Sequence, residues 1–191
     1  MPSAKQGQTN PGFTLEIRRT FAAPREKVFA AWAEREQLEQ WMCKDAASHV
    51  VIHHVQEIRT GGRYLMEVRD PGKGETYWGQ GVYLEVKPPE KIVFSWAWTK
   101  AEPGGSRTEL HPDSPNTKVT VEFFARGSST EVVLTHAAFG SRKLRDEHDR
   151  GWNGCLDLLA KVLLATSAPR ESRGGGKGGP ARDGLTDGKK K

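Results

Sequence analysis

Apolar residues fall at two different spacings along this chain, and the change of spacing divides it into elements. In Phe13–Phe21 they alternate with polar ones, so Phe13, Leu15, Ile17 and Phe21 share one face of a predicted strand. Ala23-Pro24 opens a helix with Glu26 in its first turn and Val28, Phe29 and Trp32 as its apolar stripe. A second short helix carries Leu38, Trp41 and Met42, with Glu36, Glu39 and Gln40 toward water. Strand signals then follow one another: 50–58, 63–69, 76–87, 91–100, 118–125 and 130–135. They are punctuated by Gly61-Gly62, by the turn at 70–74, by Pro88-Pro89-Glu90 and by Gly127-Ser128-Ser129. Residues 101–116, with their prolines and glycines, read as a loop. From about Leu144 to Thr166 the spacing becomes helical, with Trp152, Cys155, Leu156, Leu159, Val162 and Leu163 on one side. Asp146, Glu147 and Asp149 sit near the start of that helix, where its dipole favours acids.

The order is strand, two short helices, six strands, one long helix. Strands joined by short turns make an antiparallel sheet, and a lone long helix must bury its stripe on that sheet. An α+β fold follows, with a twisted sheet wrapped about the last helix.

Composition adds boundaries. The chain has 191 residues and a formal net charge of +5. Seven of its basic residues (170, 173, 177, 182, 189, 190, 191) lie in 169–191 against acids at 171, 183 and 187, and Lys5 is the one charge in 1–12. The stretch from 13 to 168 is therefore neutral, and the basicity says little about the partner of a folded domain. The glycine-rich 169–191 tail and residues 1–12 cannot bury enough apolar surface to offset their ordering entropy, so both read as disordered around a domain at 13–168. A solvated tail is expected in preference to nucleic-acid binding at Lys189-Lys190-Lys191. No run approaches the ~18 apolar residues of a membrane span, and the start lacks an apolar signal core, so a cytoplasmic protein is expected.

Several segments together resemble a known family. They are Phe21-Ala22-Ala23-Pro24 with Val28-Phe29 and Trp32; Leu38-Glu39-Gln40-Trp41; Arg59-Thr60-Gly61-Gly62-Arg63-Tyr64; 81–86 with Pro88-Pro89-Glu90; Phe94-Ser95-Trp96; Leu134-Thr135-His136; and His148 with Gly151-Trp152. Their order over about 13–165 resembles the SRPBCC/START-like superfamily, and within it domains similar to the C-terminal domain of the heat-shock-protein-90 ATPase activator. The resemblance implies a helix-grip fold: a seven-stranded antiparallel curved sheet gripping the last helix, with an apolar cavity between them. It implies no single activity, because the superfamily holds lipid and hormone binders, polyketide cyclases and co-chaperones. The eukaryotic activator has a separate N-terminal domain, for which residues 1–12 are too short.

Candidate chemistry is sparse. His53 and His54 are strand neighbours pointing to opposite faces, so they cannot chelate together, and the six histidines and two cysteines show no metal-ligand spacing. No metal or other cofactor is expected. His136 and His148 could meet, and a hydrogen-bonded structural role is the preferred reading. Glu57, Glu67, Glu85 and Glu122 lie in strands; one pointing inward could act as a general acid or base, but parity is open and Arg59, Arg63 and Arg69 offer ion pairs. Cys155 reads as a small hydrophobe; Cys43 has Lys44 beside it, which could lower its pKa, and no base can be named for either. No catalytic residue is assigned.

The aromatics are more informative. Trp32, Trp41, Trp78, Tyr83, Phe94, Trp96 and Trp152, with Leu156 and Leu159, are expected to line the cavity. The expected function is binding of a small apolar ligand, such as a lipid, polyketide or aromatic metabolite, by a monomer or homodimer. The alternatives are a cyclase or hydrolase using the same cavity, and a chaperone-linked stress-response interaction protein.

Overall fold

The computed structural model describes residues 12–42, 50–70, 72, 74–100 and 117–166, with the side chains of 50–55 and 100 left out. The expectations for 1–11, 101–116 and 167–191, for Cys43, and for the side chains of His53 and His54 lie outside the described residues.

Ten elements follow in chain order: β1 (Phe13–Phe21), α1 (Arg25–Ala33), α2 (Arg35–Leu38), β2 (Val50–Gln56), β3 (Arg63–Asp70), β4 (Glu75–Lys87), β5 (Lys91–Lys100), β6 (Thr117–Arg126), β7 (Ser129–Phe139) and α3 (Arg142–Ala165). The strands form one antiparallel sheet in the order β1-β7-β6-β5-β4-β3-β2. The α+β class, the antiparallel sheet and the C-terminal helix agree with the pattern of the sequence. Every consecutive pair from β2 to β7 lies side by side, through short connections for all but β5 and β6, which residues 101–116 separate. β1 is the exception, closing against β7 at the far edge.

Alternation sets the core. Leu15, Ile17 and Phe21 of β1, Tyr64, Met66 and Val68 of β3, Ile92, Phe94 and Trp96 of β5 and Val119, Val121 and Phe123 of β6 are all buried on one face. Phe13, expected on that face, is 39% exposed at the strand's start, where the register with β7 shifts. The shift is a bulge on β7: Ala138 has φ 73, and the register passes from Phe13↔Phe139 to Leu15↔His136. The extra residue turns Phe139 inward after His136, which an unbroken alternation would point outward. Gly12 backs onto this bulge; a Cβ there would lie 2.9 Å from the Ala138 Cα.

The helices differ slightly from expectation. Pro24 precedes α1 in an extended conformation (ψ 151), consistent with its lack of an N–H. α2 is a single turn, and Trp41 and Met42 lie just beyond it, buried. α3 starts earlier than expected because the Ser141 hydroxyl accepts from the Leu144 N–H at 3.2 Å, capping the first turn. It buries Trp152, Leu156, Leu159 and Leu163 and packs on β1, β7 and α1. Arg19 of β1 fastens it through Asp157 (3.1 Å) and Asn153 (2.9 Å). No helix among the described residues is long and apolar enough to cross a membrane.

Candidate functional site

Alternate residues of β3, β4 and β5 turn toward the two short helices, and a cavity of about 30 Å³ remains between them. Its wall is Trp32 of α1, Leu38 of α2, Met42, Tyr64 and Met66 of β3, Tyr83 of β4, and Ile92, Phe94 and Trp96 of β5. The volume admits roughly two water molecules, whereas a benzene ring fills a cavity of about 150 Å³. Leu38, Met42 and Met66 are the wall's flexible parts, and unbranched Met repacks readily.

Glycine makes room for this wall. A Cβ on Gly81 would come within 2.6 Å of the Tyr64 Cε1 and 1.9 Å of the Ser95 carbonyl oxygen. Without it the Tyr64 ring lies against the strand, and its hydroxyl donates to the Ser95 carbonyl at 2.8 Å. The Tyr64, Tyr83, Phe94 and Trp96 rings then pack at tilted or edge geometries 5.6–6.2 Å apart.

The wall turns only apolar atoms toward the cavity, and polar groups lie behind it. Gln56 donates from Nε2 to the Trp32 carbonyl (3.1 Å) and to the Tyr83 hydroxyl (2.9 Å), tying α1 to β4. Burial pushes the Tyr83 phenol up to about 12, against the partial relief of that Gln56 bond, so it stays protonated. The Trp32 and Trp96 indole N–H groups and the Gln56 Oε1 are buried without a hydrogen-bond partner.

A ring-to-ring chain runs Trp41, Trp32, Trp152, Trp96, Trp98 at centroid separations of 4.7, 6.0, 5.6 and 5.3 Å. Three of these indoles have acceptors. Trp41 donates to the Ala31 carbonyl (2.9 Å), Trp152 to the His136 Nδ1 (3.1 Å) and Trp98 to the His148 Nε2 (3.3 Å). Trp32 and Trp96, which line the cavity, have none.

The two histidines form a separate cluster beneath α3. His136 is fully buried, with Nε2 2.7 Å from the Thr117 hydroxyl, which itself donates to the Trp96 carbonyl at 3.0 Å. That network assigns the proton to His136 Nε2 and leaves Nδ1 to accept from Trp152. Burial, then the neighbouring His148, pull His136 down to about 3. His148 stands edge-on at 5.2 Å and donates from Nδ1 to the Leu144 carbonyl (2.9 Å). Burial lowers it too, with the Leu144 bond and Glu147 opposing. Both rings are neutral and their nitrogens are occupied by structural bonds.

Of the residues expected to line the cavity, Trp32, Tyr83, Phe94 and Trp96 do so. Trp41 is fully buried behind Trp32. Trp152, Leu156 and Leu159 are core residues of α3. Trp78 is on the outer face of β4, since Gly79 is the residue opposite the inward Trp98. The same parity puts Glu67 and Glu122 on the outer face, beside inward Met66 and Val121, and the register shift between Tyr83 and Glu85 turns Glu85 outward too, opposite Val93, while Glu57 is exposed beside Arg59 at 2.8 Å. Cys155 packs half-buried against the core. The reading missed Leu38, Met42, Tyr64, Met66 and Ile92 as wall residues, and Gln56 behind them. The i, i+2 spacing of Tyr64 with Met66, and of Ile92 with Phe94 and Trp96, was the available signal.

Residues 22–164 match the family described as "Activator of Hsp90 ATPase homolog 1-like protein". Among solved structures, the AHSA1 protein from Silicibacter pomeroyi superposes with a TM-score of 0.69 at 23% identity, over 81% of this chain and 99% of that one. A protein from Chromobacterium violaceum gives 0.66 at 21% identity, over 80% and 98%. CalU16 from Micromonospora echinospora gives 0.55 at 21% identity, over 78% and 75%. At these identities the likeness is one of fold. No curated protein matches the sequence.

Proposed function

Since the chain belongs to the family of Activator of Hsp90 ATPase homolog 1-like proteins, within the SRPBCC/START-like group, we propose that it binds a small, mostly apolar molecule in the cavity between β3–β5 and the short helices. The family supports a ligand-binding or an activator role. One observation favours the ligand: a cavity with an apolar, largely aromatic wall remains between the sheet and the short helices. The cavity's size favours the aromatic-metabolite end of the expected range over a lipid or polyketide. Even a single ring requires Met42, Met66 or Leu38 to move aside. The outward parity of the strand carboxylates and the structural engagement of His136 and His148 support binding over chemistry. By the same reading the domain at 13–168 acts in the cytoplasm.

Native mass spectrometry of protein purified from cells, followed by calorimetry against single-ring neutral compounds, tests the proposal. One-to-one binding is expected in the wild type, and Leu38→Phe, which fills the cavity, should abolish it without changing the circular dichroism. No adduct and no binding across the panel would refute it.

A further inference from the structure

Two successive inward positions of β4 carry no side chain. Gly79 pairs with Met66 of β3 and Gly81 with Tyr64, so each glycine stands opposite a residue of the cavity wall. Glycine in a strand interior costs stability against alanine and often marks a close approach. The Gly81 gap is taken by the Tyr64 ring, with the Ser95 carbonyl beside it. The Gly79 gap is filled differently. A Cβ there would lie 2.8 Å from the Met66 Cε, the free end of an unbranched side chain, and 3.2 Å from the Trp98 Cζ3. The Met66 methyl is seated in a notch between the β4 backbone and the Trp98 indole.

That seat bears on the cavity, because Met66 is also part of its wall. Trp98 is held in place: its N–H donates to the His148 Nε2 at 3.3 Å, and its ring stands edge-on to Trp96 at 5.3 Å. Met66 is 3% exposed, so a methyl driven from the notch has no ready route to water. A close-packed core offers it little room elsewhere. The void at hand is the cavity of about 30 Å³ that Met66 itself borders. A methyl is close to a water molecule in size, and such a volume holds roughly two.

We infer that Gly79 is a positioning residue of the site: by leaving a notch for the Met66 methyl, it holds that wall back and sets the size of ring the cavity admits. The inference rests on the ligand-binding reading above and adds the residue that governs its size selection. With Met66 seated, the movement that admits a ring falls to Leu38 and Met42, on the side of the short helices. The wall turns only apolar atoms inward, so a hydroxyl or charge on the buried ring would go without a partner, and toluene is the fitting probe.

Calorimetric titration of toluene into the wild type, Gly79→Ala, Met66→Val and the double variant tests the inference, with circular dichroism as the check on folding. Met66→Val trims the end of the side chain that the notch holds and suits a strand. The wild type should bind toluene one-to-one. Gly79→Ala, whose methyl pushes Met66 into the cavity, should bind about tenfold or more weakly with an unchanged spectrum. In the Met66→Val background the same substitution should change affinity by less than about twofold, because the group it displaces is gone. Undiminished binding by Gly79→Ala would overturn the inference and leave the binding cavity in place. A loss of binding or of fold in Gly79→Ala that persists in the double variant would do the same, since Met66 would then not be the group displaced. Binding by Met66→Val but not by the wild type would show that the notch does not hold the wall back, and would overturn the inference alone. Absence of binding in both would overturn the inference together with the reading beneath it.

Discussion

His136 makes the stability of this domain depend on pH, and the size of the effect can be worked from its surroundings. Its ring is fully buried and held neutral between Trp152 and Thr117, with a folded pKa near 3 against 6.5 in an unfolded chain. Between those values the unfolded chain holds a proton that the folded one does not. Stability is therefore complete above about pH 6.5 and falls as the pH drops toward 3. Across the whole window the single ring accounts for about 5 kcal/mol, and by pH 5 for about 2 kcal/mol relative to pH 8. His148, lowered by burial as well, acts with the same sign. The perturbation is His136→Gln, whose amide is of comparable length and does not titrate. Urea midpoints followed by circular dichroism at pH 8 and pH 5 are the assay. At pH 8 the variant should lose about 1–3 kcal/mol, because the Trp152 N–H loses its acceptor. Between pH 8 and 5 it should lose about 2 kcal/mol less than the wild type does. Equal losses in the two proteins would show that His136 is not the titrating group and would refute the reasoning.

Three further outcomes are expected. Gly81→Ala places a Cβ against the Ser95 carbonyl and the Tyr64 ring and should cost about 3 kcal/mol or more. Gly151→Ala on α3 meets nothing within 4 Å and should raise stability by about 1 kcal/mol; thermal melts of the two variants check the contrast. The Tyr83 phenol should ionise near pH 12, and since its folded pKa is raised, it draws stability down as the pH climbs past 10. Ultraviolet difference titration of wild type against Tyr83→Phe reads this, and ionisation of Tyr83 near 10 would contradict its burial.

The sequence by itself determined the succession of elements and most inward positions. Period two in β1, β3, β5 and β6, and the i, i+3, i+4 stripe of α3, are consequences of backbone geometry that hold before any packing exists. The family was equally legible from the short segments read over about 13–165, and its match covers residues 22–164. Where the pattern broke, local reading failed for a physical reason. A bulge at Ala138 reverses the side-chain parity that period two assumes, so Phe139 enters the core and joins the histidine cluster unannounced. The parity of Glu67, Glu85 and Glu122 needed the strand registers, which arise from pairing between distant segments.

The site depended most on tertiary structure. α3 presents Trp152, Leu156 and Leu159 as an apolar stripe indistinguishable in sequence from a cavity lining, but it packs on β1, β7 and α1 and buries these residues in the core. The space lies instead under β3–β5, where Gly81 lets Tyr64 lie close and where Trp32, Leu38 and Met42 arrive from the short helices. Which tryptophans have acceptors is likewise unreadable from the chain. Spacing says that a residue faces inward, whereas only the arrangement of remote carbonyls and rings decides whether its N–H is met.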